Sequence, residues 1–179
     1  MKIKLYDKTF EVSLPAKEID EIIAEMGKKM NKDLEGKKPL FLCVLNGSFM
    51  FASDLMKHIT VEGTEISFVK LSSYSGVQTS GTVRELIGLN ENLEGRTVVI
   101  LEDIIDSGIT MYGTKATLSK MNPAEIKIAT LFFKPDALKR DLTLDYVGKE
   151  IPNDFIVGRG LDFDGLGRNY PDLYTLCEE

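Results

Sequence analysis

The chain has two cysteines, Cys43 and Cys177, and a single histidine, His58, in 179 residues. That leaves too few soft ligands for a zinc site and no basis for a disulfide framework. Cys43 lies in the apolar run Leu40–Leu45 and reads as a small core hydrophobe, while Cys177 falls in the tail. A reducing cytoplasm is the expected compartment. No stretch approaches the roughly 20 apolar residues that a membrane span needs. The first residues, Met1–Asp7, alternate polar and apolar and lack the apolar core of a signal peptide. Positive charge is also short, with Lys+Arg 22 against Asp+Glu 28 and a net charge of −6. That balance argues against holding nucleic acid by bulk electrostatics and directs attention to a local site. No internal repeat, low-complexity tract or long linker breaks the chain.

What is present is ordinary globular composition, 43% hydrophobic and 28% charged, at a length that predicts one domain over residues 1–179. Ile3–Asp7 and Phe10–Leu14 predict a hairpin around Asp7-Lys8. After Pro15, apolar residues at 19, 22, 23, 26 and 30 trace one face of a helix. Leu40–Leu45 is continuously apolar, as in a strand covered on both faces. Asn46-Gly47-Ser48 ends it, and Phe49–Ile59 returns to helical spacing. Strands are predicted at Glu65–Leu71, Val83–Leu89, Arg96–Leu101 and Glu125–Phe133, with a helix over Met111–Met121 and a small, polar loop over 72–81. Strand and helix alternate with short connections, which implies a parallel sheet with helices on both faces. Asp145–Val147, Phe155–Val157 and Tyr174–Leu176 predict short strands of a small cap.

The most informative segment is Thr97–Thr110. An apolar strand runs into two adjacent carboxylates, Glu102 and Asp103. Two isoleucines, a third acid (Asp106) and the turn Ser107-Gly108-Ile109-Thr110 follow. Ser107, Gly108 and Thr110 are small enough for backbone N–H groups to close on a phosphate, and both hydroxyls add donors. This is not a P-loop, since Ile109 stands where a lysine would be expected. An acidic turn with a helix cap is the plainer reading of a bare Asp-Ser-Gly. Three carboxylates in five residues need a further task, such as holding sugar hydroxyls or a metal.

Leu101–Met111 resembles the phosphoribosyl-pyrophosphate (PRPP) loop of type I phosphoribosyltransferases. With the Ile104-Ile105 spacer and the downstream segments, the chain is similar to the hypoxanthine phosphoribosyltransferase family through nearly its whole length. The resemblance implies an α/β fold of a central, mainly parallel sheet flanked by helices. A small hood, roughly residues 1–14 and 145–179, would cover it. It implies that Glu102 and Asp103 hold the ribose hydroxyls and Mg²⁺, and that Asp106 handles the proton on purine nitrogen 7. Residues 106–110 would hold the 5′-phosphate: Asp106, Ser107, Gly108, Ile109 and Thr110. Lys134 would donate to the purine 6-oxo group, Phe155 would stack on the purine, and the Ile156 backbone would pair with its edge. Asp162 matches a metal-associated acid and Arg168 a pyrophosphate-binding arginine. The run between them is richer in glycine than the family's usual aromatic-containing stretch. Ser73-Tyr74 matches the start of a flexible loop that closes over the site. Leu45-Asn46-Gly47 matches the pyrophosphate loop, where Asn46 replaces the lysine of many relatives.

The expected chemistry is Mg²⁺-dependent transfer of 5-phosphoribosyl from PRPP to nitrogen 9 of hypoxanthine, and of guanine, giving IMP or GMP and pyrophosphate. The expected partners are these small molecules, with no nucleic acid and no membrane. A homodimer or homotetramer is expected, and the apolar Phe49–Ile59 helix reads equally as a partner-facing surface or as a core helix. The alternatives are a xanthine- or guanine-preferring transferase, or a regulator that keeps the PRPP fold and binds nucleic acid. The second would need a basic face, which the charge balance disfavours.

Overall fold

The computed structural model describes residues 1–73 and 84–177. Among these residues ten strands and three α-helices follow one another as β1 (Lys2–Leu5), β2 (Lys8–Leu14), α1 (Ala16–Asp33), β3 (Leu40–Leu45), α2 (Phe49–Met56), β4 (Glu65–Ser73), β5 (Arg84–Ile87), β6 (Thr97–Ile105), α3 (Ile109–Ser119), β7 (Glu125–Phe133), β8 (Tyr146–Glu150), β9 (Ile156–Val157) and β10 (Leu173–Leu176). The larger sheet has the order β5-β4-β3-β6-β7-β8. Its five strands from β4 to β8 are parallel, and only β5 runs antiparallel, against β4.

Two apolar layers explain the sandwich. One holds Ile19, Ile23, Met26 and Met30 of α1 and Phe51 and Leu55 of α2 against Phe41, Val99 and Leu131 of the sheet. The α1 residues recur at helical spacing, and burying each such side chain contributes about 1.5–3 kcal/mol. The other layer packs Met111 and Leu118 of α3 against Val98, Ile100 and Ile128. Among the described residues no helix is long and apolar enough to cross a membrane.

The second sheet, β1-β2-β10-β9, joins the two chain ends as a hood. Its own small core contains Leu5, Phe10, Val157 and Tyr174. It is tied to the main body where the Ala16 N–H at the start of α1 donates to Asp172 Oδ1 at 2.7 Å. One expectation is corrected here. Tyr146–Glu150 pairs in parallel with β7 and is an edge strand of the main sheet, so the hood's C-terminal share starts after Glu150. Tyr146, buried against the α1 layer, is the physical reason.

Other boundaries also move. β6 does not stop at Leu101 but runs to Ile105, because β7 pairs with it as far as Ile105↔Phe133. α3 begins at Ile109, two residues earlier than expected, because Gly108 adopts φ 70° immediately before it, a conformation that costs glycine little. α2 ends at Met56, short of Ile59.

Candidate active site

The order of the parallel strands changes direction between β3 and β6: the chain goes from β3 outward to β4, then returns to β6 and proceeds outward through β7 and β8. In such open sheets the crevice for ligands lies beyond the carboxyl ends of the strands at this switch point. The segments that end there are Asn46–Ser48 after β3, Glu102–Thr110 from β6 into α3, and Lys134 after β7. Ile105 pairs with Phe133, and the Lys134 N–H donates to the Ile105 carbonyl at 2.9 Å. Asp106 and Lys134 therefore leave the sheet side by side.

The adjacent acids Glu102 and Asp103 would point to opposite faces of a regular strand. They do not. Asp103 has no partner in the otherwise continuous β6–β7 register, and both Leu101 and Ile104, three residues apart, pack toward the α1 layer. The alternation slips by one at Asp103, so both carboxylates reach the loop after β3. Ser48 Oγ donates to Glu102 Oε1 at 3.2 Å, and a Cβ on Gly47 would overlap the Asp103 carboxylate. Glycine at 47 is thus required by a close approach. The Leu45–Asn46 peptide that leads into this loop is cis.

Burial, reinforced by the Asp103 charge, pushes the Glu102 carboxyl well above the usual carboxylate range. Asp103 is also pushed up by burial, opposed by hydrogen bonding with Glu102 and the Ile104 N–H and by the Arg168 charge. Cys43, beneath them on β3, is pushed up to about 12 by burial and then by the two acids, so it is an inert thiol rather than a nucleophile. A carboxyl whose pKa is raised by folding weakens the fold once pH exceeds its ordinary value of 4.5. Glu102→Gln keeps an oxygen for Ser48 and removes the charge. Its Tm at pH 7, in chelator and without substrate, is expected to rise by about 2–4 °C. The gain disappears near pH 4, where Glu102 is protonated in both folded and unfolded chains. A Tm lower than wild type at pH 7 would contradict the argument.

Beyond β6, the Ser107 N–H donates to Asp106 Oδ1, fixing the exposed Asp106 carboxylate at the lip of the turn. The Ile109 N–H faces Ser107 Oγ at 3.5 Å. A small cleft of about 60 Å³ lies between Ile104, Asp106, Ser107, Gly108, Thr110 and Met111 at the start of α3. It is of a size for a tetrahedral anion and far too small for a purine. Backbone donors and the helix dipole make it suited to phosphate.

Lys134 is 9% exposed, and its Nζ donates to the Asp154 carbonyl at 2.6 Å. That bond brings the ammonium to the segment leading into β9. The adjacent Phe155 is 46% exposed and meets Phe163 edge-on at 5.7 Å, which fixes one side of the ring and leaves it a stacking platform. The Leu176 N–H donates to the Phe155 carbonyl. By antiparallel alternation, Ile156, paired with Thr175, turns its N–H and C=O away from β10. β9 is the outer strand of the hood, so these groups face its open edge.

Arg168 and Asp162 pair at 2.6 Å, and Arg168 Nη1 also donates to the Gly160 carbonyl at 2.7 Å. A Cβ on Gly160 would overlap the Gly47 carbonyl, which sets this hood turn directly on the loop after β3. The structure thus gathers Asn46, Gly47, Glu102, Asp103, Asp162 and Arg168 on one side. Asp106–Thr110, Lys134, Phe155 and Ile156 lie around the ends of β6, β7 and β9. Ser73 is the last residue of β4, and Tyr74 lies outside the described residues. Sequence reasoning missed Ser48 as a partner of Glu102, although the turn containing it was visible, and missed Gly160.

Among the described residues no three His, Cys, Asp or Glu side chains form a metal cage. Half-buried Glu102 and buried Asp103, side by side next to a phosphate-sized cleft, suit Mg²⁺, which is commonly held by one or two carboxylates together with substrate phosphates. Glu102 and Asp103 fit that role, whereas Asp162 is engaged by Arg168.

Comparison with known proteins agrees with this architecture. The phosphoribosyl transferase domain family matches residues 15–164. A hypoxanthine-guanine phosphoribosyltransferase of Streptococcus thermophilus is 43% identical over 156 residues, 87% of this chain and 86% of the relative. The crystal structure of a hypoxanthine phosphoribosyltransferase from Staphylococcus aureus has a TM-score of 0.86 at 38% identity, covering 93% of this chain and 91% of that one. A solved hypoxanthine-guanine-xanthine phosphoribosyltransferase has a TM-score of 0.82 at 34% identity, covering 94% and 97%. With this family's domain spanning most of its length and with the switch-point crevice built as described, the chain belongs to the hypoxanthine-guanine phosphoribosyltransferases of the type I phosphoribosyltransferase family.

Proposed function

We propose that the protein transfers the 5-phosphoribosyl group of PRPP to nitrogen 9 of hypoxanthine or guanine, forming IMP or GMP and pyrophosphate in purine salvage. The observation that carries this reading is the placement of Asp106 and Lys134 side by side beyond β6 and β7. Between them they offer a carboxylate for a ring N–H and a cation for an oxo group, next to an exposed aromatic face. The 106–110 turn holds the 5′-phosphate by backbone N–H groups and hydroxyls. Glu102 and Asp103 accept from the ribose hydroxyls and would hold Mg²⁺, joined by Asp162 once Arg168 turns to pyrophosphate. Mg²⁺, when bound, neutralises charge on the pyrophosphate leaving group. The Asn46–Gly47 backbone and Arg168 orient that group, and Asp106 holds the proton released from purine nitrogen 7.

The test is direct. PRPP and Mg²⁺ are mixed with hypoxanthine, guanine, xanthine or adenine in turn, and nucleotide formation is followed by ultraviolet absorbance. Transfer to the first two supports the reading, and transfer to adenine alone would overturn it. The likeness to a hypoxanthine-guanine-xanthine enzyme makes xanthine the informative third purine. Filter binding distinguishes the nucleic-acid regulator, which the charge balance disfavours.

A cytoplasmic setting accords with two free cysteines. Assembly as a homodimer or homotetramer accords with exposed Phe49 on α2 and Ile66 and Phe68 on β4. Light scattering at micromolar concentration is expected to give a mass at least twice the 20.0 kDa of the chain; a monomer would refute the assembly.

A further inference from the structure

Arg159 is the least exposed charged residue among the described residues, at 4%, and none of the roles above uses it. It stands in a tight two-residue turn. Gly158 and Leu161 exchange backbone hydrogen bonds of 3.0 Å in each direction, with Arg159 at φ 50° and Gly160 at φ 101° between them. Turns of this shape favour Asn, Asp or Gly at the first central position, so the backbone gives no reason for an arginine. The side chain does. Its Nη2 reaches Asp20 of α1 and Asp54 of α2, the latter at 2.7 Å, and Nη1 donates to the Pro171 carbonyl at 3.2 Å. One guanidinium therefore ties the hood turn to two helices of the main body, a task for which a planar fork of donors is suited and a point charge is not.

The turn held in this way meets the candidate site from behind. Gly160 rests on the Gly47 carbonyl, Gly47 rests on Asp103, and the Gly160 carbonyl takes a hydrogen bond from Arg168. We propose that Arg159 is a positioning residue for the pyrophosphate side of the site. By clamping the 158–161 turn to α1 and α2, it sets where the Asn46–Gly47 loop, Arg168 and Asp162 stand, without touching substrate. The proposal rests on the PRPP reading given above. The purine side depends on different supports: Lys134 is set by the β6–β7 pairing, and Ile156 by β10. Loss of the clamp should therefore separate the two substrates kinetically.

The experiment compares KM for PRPP and for hypoxanthine in wild type, Arg159→Met, Arg159→Lys and Asp54→Asn, with circular dichroism on each. Arg159→Met is expected to raise the PRPP KM about tenfold while the hypoxanthine KM stays within about twofold. Arg159→Lys, which keeps a cation, is expected to recover part of the loss, to about threefold above wild type. Asp54→Asn removes one partner and is expected to raise the PRPP KM about threefold. Should Arg159→Met not fold, the last two variants decide by the same split. Equal changes in both KM values, or none, overturn the proposal. A wild type that shows no PRPP-dependent transfer overturns the functional reading itself, and the proposal with it.

Discussion

Asp106→Asn is expected to lower kcat by about 10²-fold or more while PRPP binding is retained, because general acid–base contributions are of that order. The structure makes the substitution a clean one. Asp106 is exposed and follows the last paired residue of β6, and its Oδ1 accepts the Ser107 N–H. Asparagine keeps an oxygen for that N–H, so the turn that holds phosphate should survive. What it cannot do is take up a proton and become neutral as the purine loses one. Steady-state rates with saturating substrates measure the first expectation, and tritiated or fluorescent PRPP-analogue binding measures the second. Near-normal kcat would remove Asp106 from the proton-handling role. Loss of PRPP binding at unchanged kcat would make it a phosphate-loop residue only.

The legibility of this site in the sequence was uneven, for physical reasons. Leu40–Leu45 was visible as a strand because both its faces are buried, so that every residue had to be apolar. The turn after β6 was visible because glycine and small hydroxyl residues have few other reasons to follow acids. The length of β6 was not, because carboxylates within a strand look like its end. It took the partner strand β7 to show that Glu102 and Asp103 lie inside the ladder. Their common direction was hidden as well, since regular alternation predicts opposite faces and the slip at Asp103 has no local signature. The Tyr146–Glu150 strand looked like a piece of the hood because five residues carry no topological label. Arg159 was the least legible of all. Its partners Asp20 and Asp54 lie 139 and 105 residues away, and nothing around Gly158-Arg159-Gly160 distinguishes a clamp from a surface charge.

Lys134→Ala is expected to raise the KM for hypoxanthine and guanine by about 10- to 100-fold, as a hydrogen bond from a charged donor is typically worth about 1.5–3 kcal/mol. The PRPP KM should change far less, because Glu102, Asp103 and the 106–110 turn are held by β6 and α3. The ammonium is buried and already donates to the Asp154 carbonyl, so a purine oxo group arriving beside Phe155 meets a donor whose desolvation has been met by folding. This is also a basis for selectivity. An exocyclic amino group at the same purine position offers no acceptor to an ammonium, and the mismatch leaves a buried cation poorly satisfied. Two further measurements separate purine recognition from mere support of the hood. Lys134→Ala also deprives the Asp154 carbonyl of its donor, so a loss of hood order would weaken both substrates and lower Tm together. Discrimination against adenine should shrink in the variant only if Lys134 reads the oxo group itself. A PRPP KM that rises more than the purine KM would overturn the assignment.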